Sequence, residues 1–168
     1  MLKHFKTCTF IGHKKIEATD ELFEKTFTLF EKLITKDNVS RFLIGSGSHF
    51  NDFCSDILLK LKQKYPFIRR VYVRLEYYNE DDNSFVCNRY DESYFPKCAI
   101  GAGQKSYVVR NYHMIDESDI CVFYYDENYR PISFSPPKRG VNNCRRSGTT
   151  LAYNYAVKKK KNIYNLKE

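Results

Sequence analysis

The sequence predicts one α/β domain, a mostly parallel sheet of about five strands with helices on both faces. Three observations predict it. Short apolar runs alternate with amphipathic helical stretches along the chain. The apolar runs are continuous, as in strands covered on both sides, and do not alternate with polar residues. The 168 residues, 42% hydrophobic and 16% aromatic, suit a single domain with a sizeable core and exclude a disordered chain.

Thr7-Cys8-Thr9-Phe10-Ile11 reads as the first strand, cut by Gly12. Phe23, Phe27, Phe30 and Ile34 then recur on one face of a helix that Thr19 or Asp20 can cap. Arg41-Phe42-Leu43-Ile44 is a second strand, ending in Gly45-Ser46-Gly47-Ser48. A second helix starts near Asn51, aligns Phe53, Ile57 and Leu61, and stops before Pro66. Residues 70–75 make a third strand. Residues 77–103 are polar and aromatic without a period. A third helix is expected from about Lys105 to Glu117, burying Tyr107, Val108, Met114 and Ile115. Ile120 to Tyr125 is the most strand-prone segment. A long loop, 126–146, follows; loops of that length in a compact domain usually carry function or move. A fourth helix opens at Ser147-Gly148-Thr149-Thr150, and Asn162 to Leu166 closes the sheet.

Charge and cysteine narrow the function classes. The net charge of +8 lies entirely in residues 138–168, which hold nine basic residues and one acid. The excess splits between an arginine-bearing loop and the run Lys158–Lys161, which reads as a helix C-terminus complemented by cations. A nucleic-acid partner is therefore disfavoured, since one short run releases few counterions. No apolar stretch approaches the ~20 residues of a membrane span, and Met1-Leu2-Lys3-His4 opens no signal-peptide core, so a cytoplasmic protein without a membrane partner is expected. The six cysteines (8, 54, 87, 98, 121, 144) form no C-x-x-C pair. Cys87, Cys98 and Cys144 lack zinc-ligand spacing, so reduced thiols and no metal are expected.

Right-handed crossovers put the loops that follow parallel strands on one edge, where such sheets bind ligands. Three small-residue turns fall there: Gly12-His13-Lys14-Lys15, Gly45-Ser46-Gly47-Ser48 and Arg146-Ser147-Gly148-Thr149-Thr150. Two of them open helices, whose unpaired N–H groups favour phosphate. Lys14, Arg145 and Arg146 add positive charge. Each turn alone is equally a tight turn or a helix cap; together they favour an anion site. None is a dinucleotide G-x-G-x-x-G or a Walker loop. His13 can serve there as acid, base or hydrogen-bond donor, or be an ordinary turn residue.

The string from Lys105 to Asp126, followed by Ser147-Gly148-Thr149-Thr150, Ala152 and Tyr155-Ala156, resembles the SLOG superfamily. That group includes the lonely-guy phosphoribohydrolases, the DprA core and the YpsA-like proteins. The opening TCTFIGHKK and the segment from Gly45 to Asp52 resemble the YpsA-like branch. The resemblance implies a Rossmann-like three-layer sandwich and a pocket for a nucleotide or nucleotide-derived ligand. Gly12, Gly45, Gly47 and residues Ser147–Thr150 would cradle phosphate and ribose. Arg110 matches an arginine of the phosphoribohydrolases, with Asn111 in place of the following lysine and Met114 retained. It can clamp a phosphate, or simply pair with Asp116 or Glu117 on the helix surface.

Phosphoribohydrolases follow their glycine–threonine turn with a catalytic glutamate. Here Leu151-Ala152-Tyr153 supplies no carboxylate, although N-glycosidic cleavage needs one. The expectation is therefore a sensor or sequestering protein for an ADP-ribose-type or cyclic nucleotide, with no further cofactor. One alternative is a nucleotide N-glycosidase using Arg110 with Asp126 or Glu127. The other is a protein-interaction module with a vestigial pocket. The resemblance also implies a homodimer or higher homo-oligomer, since relatives with this core often dimerise.

Overall fold

In chain order the elements are β1 (Lys6–Gly12), α1 (Asp20–Thr35), β2 (Val39–Ile44), α2 (His49–Lys64), β3 (Arg69–Val73), β4 (Glu92–Tyr94), α3 (Ser106–Asp116), β5 (Ile120–Tyr124), α4 (Gly148–Lys158) and β6 (Asn162–Asn165), with two short 3-10 turns before α3. They come from a computed structural model that describes residues 4–45, 47–75, 89–129 and 147–168. The sequence features at Ser46, Cys87, Cys144, Arg145 and Arg146, and residues 130–146 of the long loop, lie outside the described residues.

All six strands join one parallel sheet in the order β4-β3-β2-β1-β5-β6. The chain runs outward from β1 to β4, then returns to the other side of β1 with β5 and β6. The order of strands therefore reverses between β1 and β5, the arrangement of a Rossmann-like sandwich with one edge strand added beyond β3.

Side chains of a strand alternate between faces. Cys8, Phe10, Phe42, Ile44, Ile120 and Val122 pack under α1 and α2 with Phe30, Leu33, Cys54, Ile57 and Leu61. Ile11, Cys121 and Phe123 face α4 through Ala152 and Ala156. Leu43, Val71 and Val73 meet Met114 of α3. The two faces differ in composition: the first carries four phenylalanine rings, Phe50, Phe10, Phe30 and Phe42, in successive edge-on and tilted contacts. Small alanines on α4 let that helix sit close to the sheet.

Three expectations need correction. The sheet has six strands rather than about five; β4 has three residues, too few to show a period, and lies within the polar 77–103 stretch. Helix α2 begins at His49, because Ser48 accepts from the Asn51 N–H (3.1 Å) and caps it. Helix α3 begins at Ser106 and buries Ser106, Arg110, Asn111, Met114 and Ile115, whereas Tyr107 is exposed and Val108 only half-buried. The inward face at the start of this helix is polar because it meets the glycine turn after β2, so the apolar residues beside it turn outward. The lysine run does close α4, with Lys158, Lys159 and Lys160 exposed. Lys161 Nζ donates to the carbonyls of Asp116 (3.1 Å) and Ser118 (2.8 Å), and Lys159 pairs with Asp116 (3.2 Å). With Tyr155 stacked on Tyr112 (3.9 Å), these contacts fasten the C-terminus of α3 to α4.

Cys8, Cys54 and Cys121 are buried and Cys98 is exposed, all four as free thiols. Burial raises the Cys121 thiol to about 12, so it stays protonated. Among the described residues no helix is long and apolar enough to cross a membrane.

Candidate functional site

The carboxyl ends of β1 and β5 lie side by side, with Gly12 opposite Tyr124. The face each residue takes follows from strand alternation. Gly12 belongs with Phe10 and faces α2, where an added Cβ would stand 2.3 Å from the Phe50 ring. His13 continues the series Thr9, Ile11 and faces α4. It is 1% exposed. Its ring stacks on Tyr129 (3.9 Å, 15°) and lies 6.1 Å from Tyr125, which in turn stacks on Tyr153 of α4 (4.3 Å).

The Asp126 backbone N–H donates to His13 Nε2 (2.9 Å). A nitrogen that accepts carries no proton, so the neutral ring holds its proton on Nδ1. His13 Nδ1 has no hydrogen-bond partner among the described residues. Burial holds the pKa below the ordinary histidine value, against the neighbouring Asp126 and with help from Lys167. At neutral pH His13 is thus an uncharged single donor.

The glycine turn after β2 meets α3 on that same face. A Cβ on Gly45 would stand 2.7 Å from Arg110 Nη2, so glycine is what lets the guanidinium lie against the backbone. Arg110 is 2% exposed, donates to Asn111 Oδ1 (3.2 Å) and lies over the Tyr107 ring (5.3 Å). It is therefore not the helix-surface arginine of the alternative reading. Gly47 adopts φ +87°, a conformation that favours glycine, under the Tyr107 ring. The β1 and β2 turns are joined by the His49 N–H, which donates to the Lys14 carbonyl (3.0 Å).

The helix N-termini differ in charge. Helix α1 carries Asp20 and Glu21 in its first turn and α2 carries Asp52, and each disfavours an anion. Helices α3 and α4 have no acid there. At α4, Ser147 Oγ accepts from the Thr150 N–H (3.1 Å) and lies 2.9 Å from Thr150 Oγ1. Thr149 is buried, while Gly148 is exposed and a Cβ there would meet no atom within 4 Å among the described residues.

The carboxylates behave differently from the glycosidase alternative. Asp126 Oδ1 accepts from the Asn128 N–H (2.9 Å) and Oδ2 lies 3.7 Å from Lys167 Nζ. That carboxylate holds its own turn and, through it, the N–H at His13. Glu127 is exposed. Asn51, which the sequence reading passed over as a site residue, is 7% exposed with Oδ1 lacking a partner among the described residues. The signal for it was its place in the first turn of α2, directly after a glycine turn. A separate cleft of about 290 Å³ lies between the start of α1 and residues 166–168, lined by Glu17, Lys25, Lys167 and Glu168 among others. No group of three or more His, Cys, Asp or Glu residues is placed to hold a metal ion among the described residues.

Fold and site define an all-parallel Rossmann-like domain whose strand order reverses between β1 and β5, with the buried His13 directly after β1 and the buried Arg110 against the turn after β2. Set against known proteins, the chain matches no family model and no curated sequence.

Proposed function

We propose that this domain is a SLOG-type protein of the YpsA-like branch that binds a nucleotide or nucleotide-derived signal, of ADP-ribose or cyclic-nucleotide type, as a cytoplasmic sensor or sequestering protein. What supports this most is convergence on one face of one edge. The buried His13, the Gly45 turn with Arg110 against it, and the acid-free N-terminus of α4 all belong to the α3/α4 side of the carboxyl edge. Parallel α/β sheets take their ligands at this edge, beside the strand-order reversal. Gly45 and Gly47, with Arg110, would meet phosphate, and Ser48, which caps α2, would hold their turn against that helix. Ser147, Gly148, Thr149 and Thr150 would offer backbone N–H groups and hydroxyls at a helix start. Gly12, His13 and Lys14 would close the floor.

Binding without hydrolysis is favoured over N-glycosidic cleavage, because the Asp126 carboxylate is engaged with Asn128 and Lys167. The test is incubation of the purified chain with AMP, cyclic nucleotides, NAD and ADP-ribose, followed by mass spectrometry of retained and released species. Intact nucleotide retained on the protein is expected. A released free base would convert the reading to a glycosidase, and retention of none would remove the nucleotide reading.

A further inference from the structure

Resting on that reading of the carboxyl edge, we propose that His13 is the specificity-determining donor of its binding site. It is locked as the Nδ1–H tautomer by the Asp126 backbone, and its Nδ1–H donates only to a ligand atom with a lone pair, such as a phosphate, ribose or base oxygen or a ring nitrogen.

Three independent observations carry this. The first is the hydrogen bond itself. The Asp126 N–H occupies the Nε2 lone pair at 2.9 Å, which leaves the ring one exchangeable proton, on Nδ1. The second is the cost of the present state. A buried N–H without an acceptor loses its hydration with no return, and native structures rarely leave one so unless a ligand or water completes it. His13 is 1% exposed and Nδ1 has no partner among the described residues. The third is rigidity. The imidazole is stacked on Tyr129 at 3.9 Å and 15°, and its backbone directly follows the Cys8–Gly12 stretch of β1 that pairs with β5. A half-turn of the ring would keep the stack but break the Asp126 bond, and any smaller turn would break the stack as well. A donor held in one place, in one tautomer, discriminates by penalty: a ligand that presents its own N–H there leaves two donors facing each other in a buried site. The adjoining groups keep the assignment fixed. Asp126 is engaged with Asn128 and Lys167, and Tyr125 is stacked on Tyr153.

Two substitutions separate the two ring nitrogens. In His13→Gln the side-chain oxygen reaches the ε position and keeps an acceptor for the Asp126 N–H, but the δ donor is lost. In His13→Asn the amide nitrogen stays near the δ position and the ε acceptor is lost. Binding of inorganic phosphate, adenosine, AMP and ADP-ribose is measured by titration calorimetry for wild type and both variants. His13→Gln is expected to weaken every probe that contacts Nδ1 by about tenfold with an unchanged melting temperature, while His13→Asn keeps most of the affinity and melts lower. Weakening of phosphate and AMP but not adenosine would identify a phosphate oxygen as the acceptor; weakening of adenosine as well would identify the base or ribose. Equal affinity of wild type and His13→Gln for all bound probes would overturn the proposal and leave the nucleotide reading standing. Binding of no probe by wild type would overturn both. The protein alone supplies a second readout: nitrogen-15 shifts of the His13 ring at neutral pH should show a protonated Nδ1 and a bare Nε2, and the reverse pattern would also overturn it.

Discussion

Gly148 is the position where binding and stability are expected to part company. It occupies the first turn of α4, directly after the Ser147 cap, and a Cβ there meets nothing within 4 Å among the described residues. Its backbone is helical, so alanine fits without strain. Replacing glycine at such a site restricts the unfolded chain and stabilises the fold by about 0.4–1 kcal/mol. The same Cβ, and still more a leucine side chain, would project from the exposed start of a helix whose free N–H groups are offered to phosphate. Losing one charge-assisted hydrogen bond of that kind costs about 1.5–3 kcal/mol, or roughly 10- to 150-fold in affinity. Urea unfolding and nucleotide titration on Gly148→Ala and Gly148→Leu therefore predict opposite signs: equal or higher stability, and progressively weaker binding. If Gly148→Leu binds AMP or ADP-ribose as the wild type does, the α4 N-terminus is not part of the site. If instead it unfolds more easily, the open space at Gly148 has been misread.

Arg110→Ala should weaken nucleotide binding by about 1.5–3 kcal/mol in the same titration, with unchanged affinity assigning the buried guanidinium to structure alone. Gly12→Ala should destabilise by about 1–3 kcal/mol in urea, because its Cβ would overlap a Phe50 ring that is itself fully buried against Phe10 and Tyr124; wild-type stability would show that Phe50 has room to move. Asp91→Ala should cost about 3 kcal/mol, since it strands the buried Arg70, whose N–H and Nε reach Asp91 Oδ2, together with Lys62 at 3.0 Å from Oδ1. A loss under about 1 kcal/mol would mean that Arg70 finds another acceptor. His13 titrates below the ordinary 6.5 in the folded state, so its neutral form contributes stability that is complete above 6.5 and is lost as pH falls through the lowered value. Urea midpoints measured downward from about pH 8 should fall more steeply for wild type than for His13→Gln, and parallel curves would contradict the assignment.

Strands and helices were legible where a period ran long enough. The buried strands β1, β2, β3 and β5 and the phenylalanine face of α1 announced themselves by continuous apolar runs and helical spacing. Strand β4 did not, because three residues, one of them an exposed glutamate, carry no period; its position is set by pairing with β3 and by Asp91 bridging to Arg70. Strand order was equally hidden, since parallel pairing of β1 with both β2 and β5 leaves no mark on composition. At the site, the sequence identified the glycine turns and His13 by residue type. It left open whether Arg110 clamps a ligand or lies on the helix surface, because only the absent side chain of Gly45 shows the room for it inside. The contact between Asp126 and His13 was likewise invisible: it runs through the backbone N–H, while the carboxylate holds the turn.

The central claim is that ligand enters on the α3/α4 face of the carboxyl edge. Amide chemical-shift mapping with whichever nucleotide the protein retains tests it directly. The largest shifts should cluster at residues 12–14, 45–48, 126 and 147–150. Shifts confined to the cleft of Glu17, Lys25 and residues 166–168, with those turns unmoved, would contradict it.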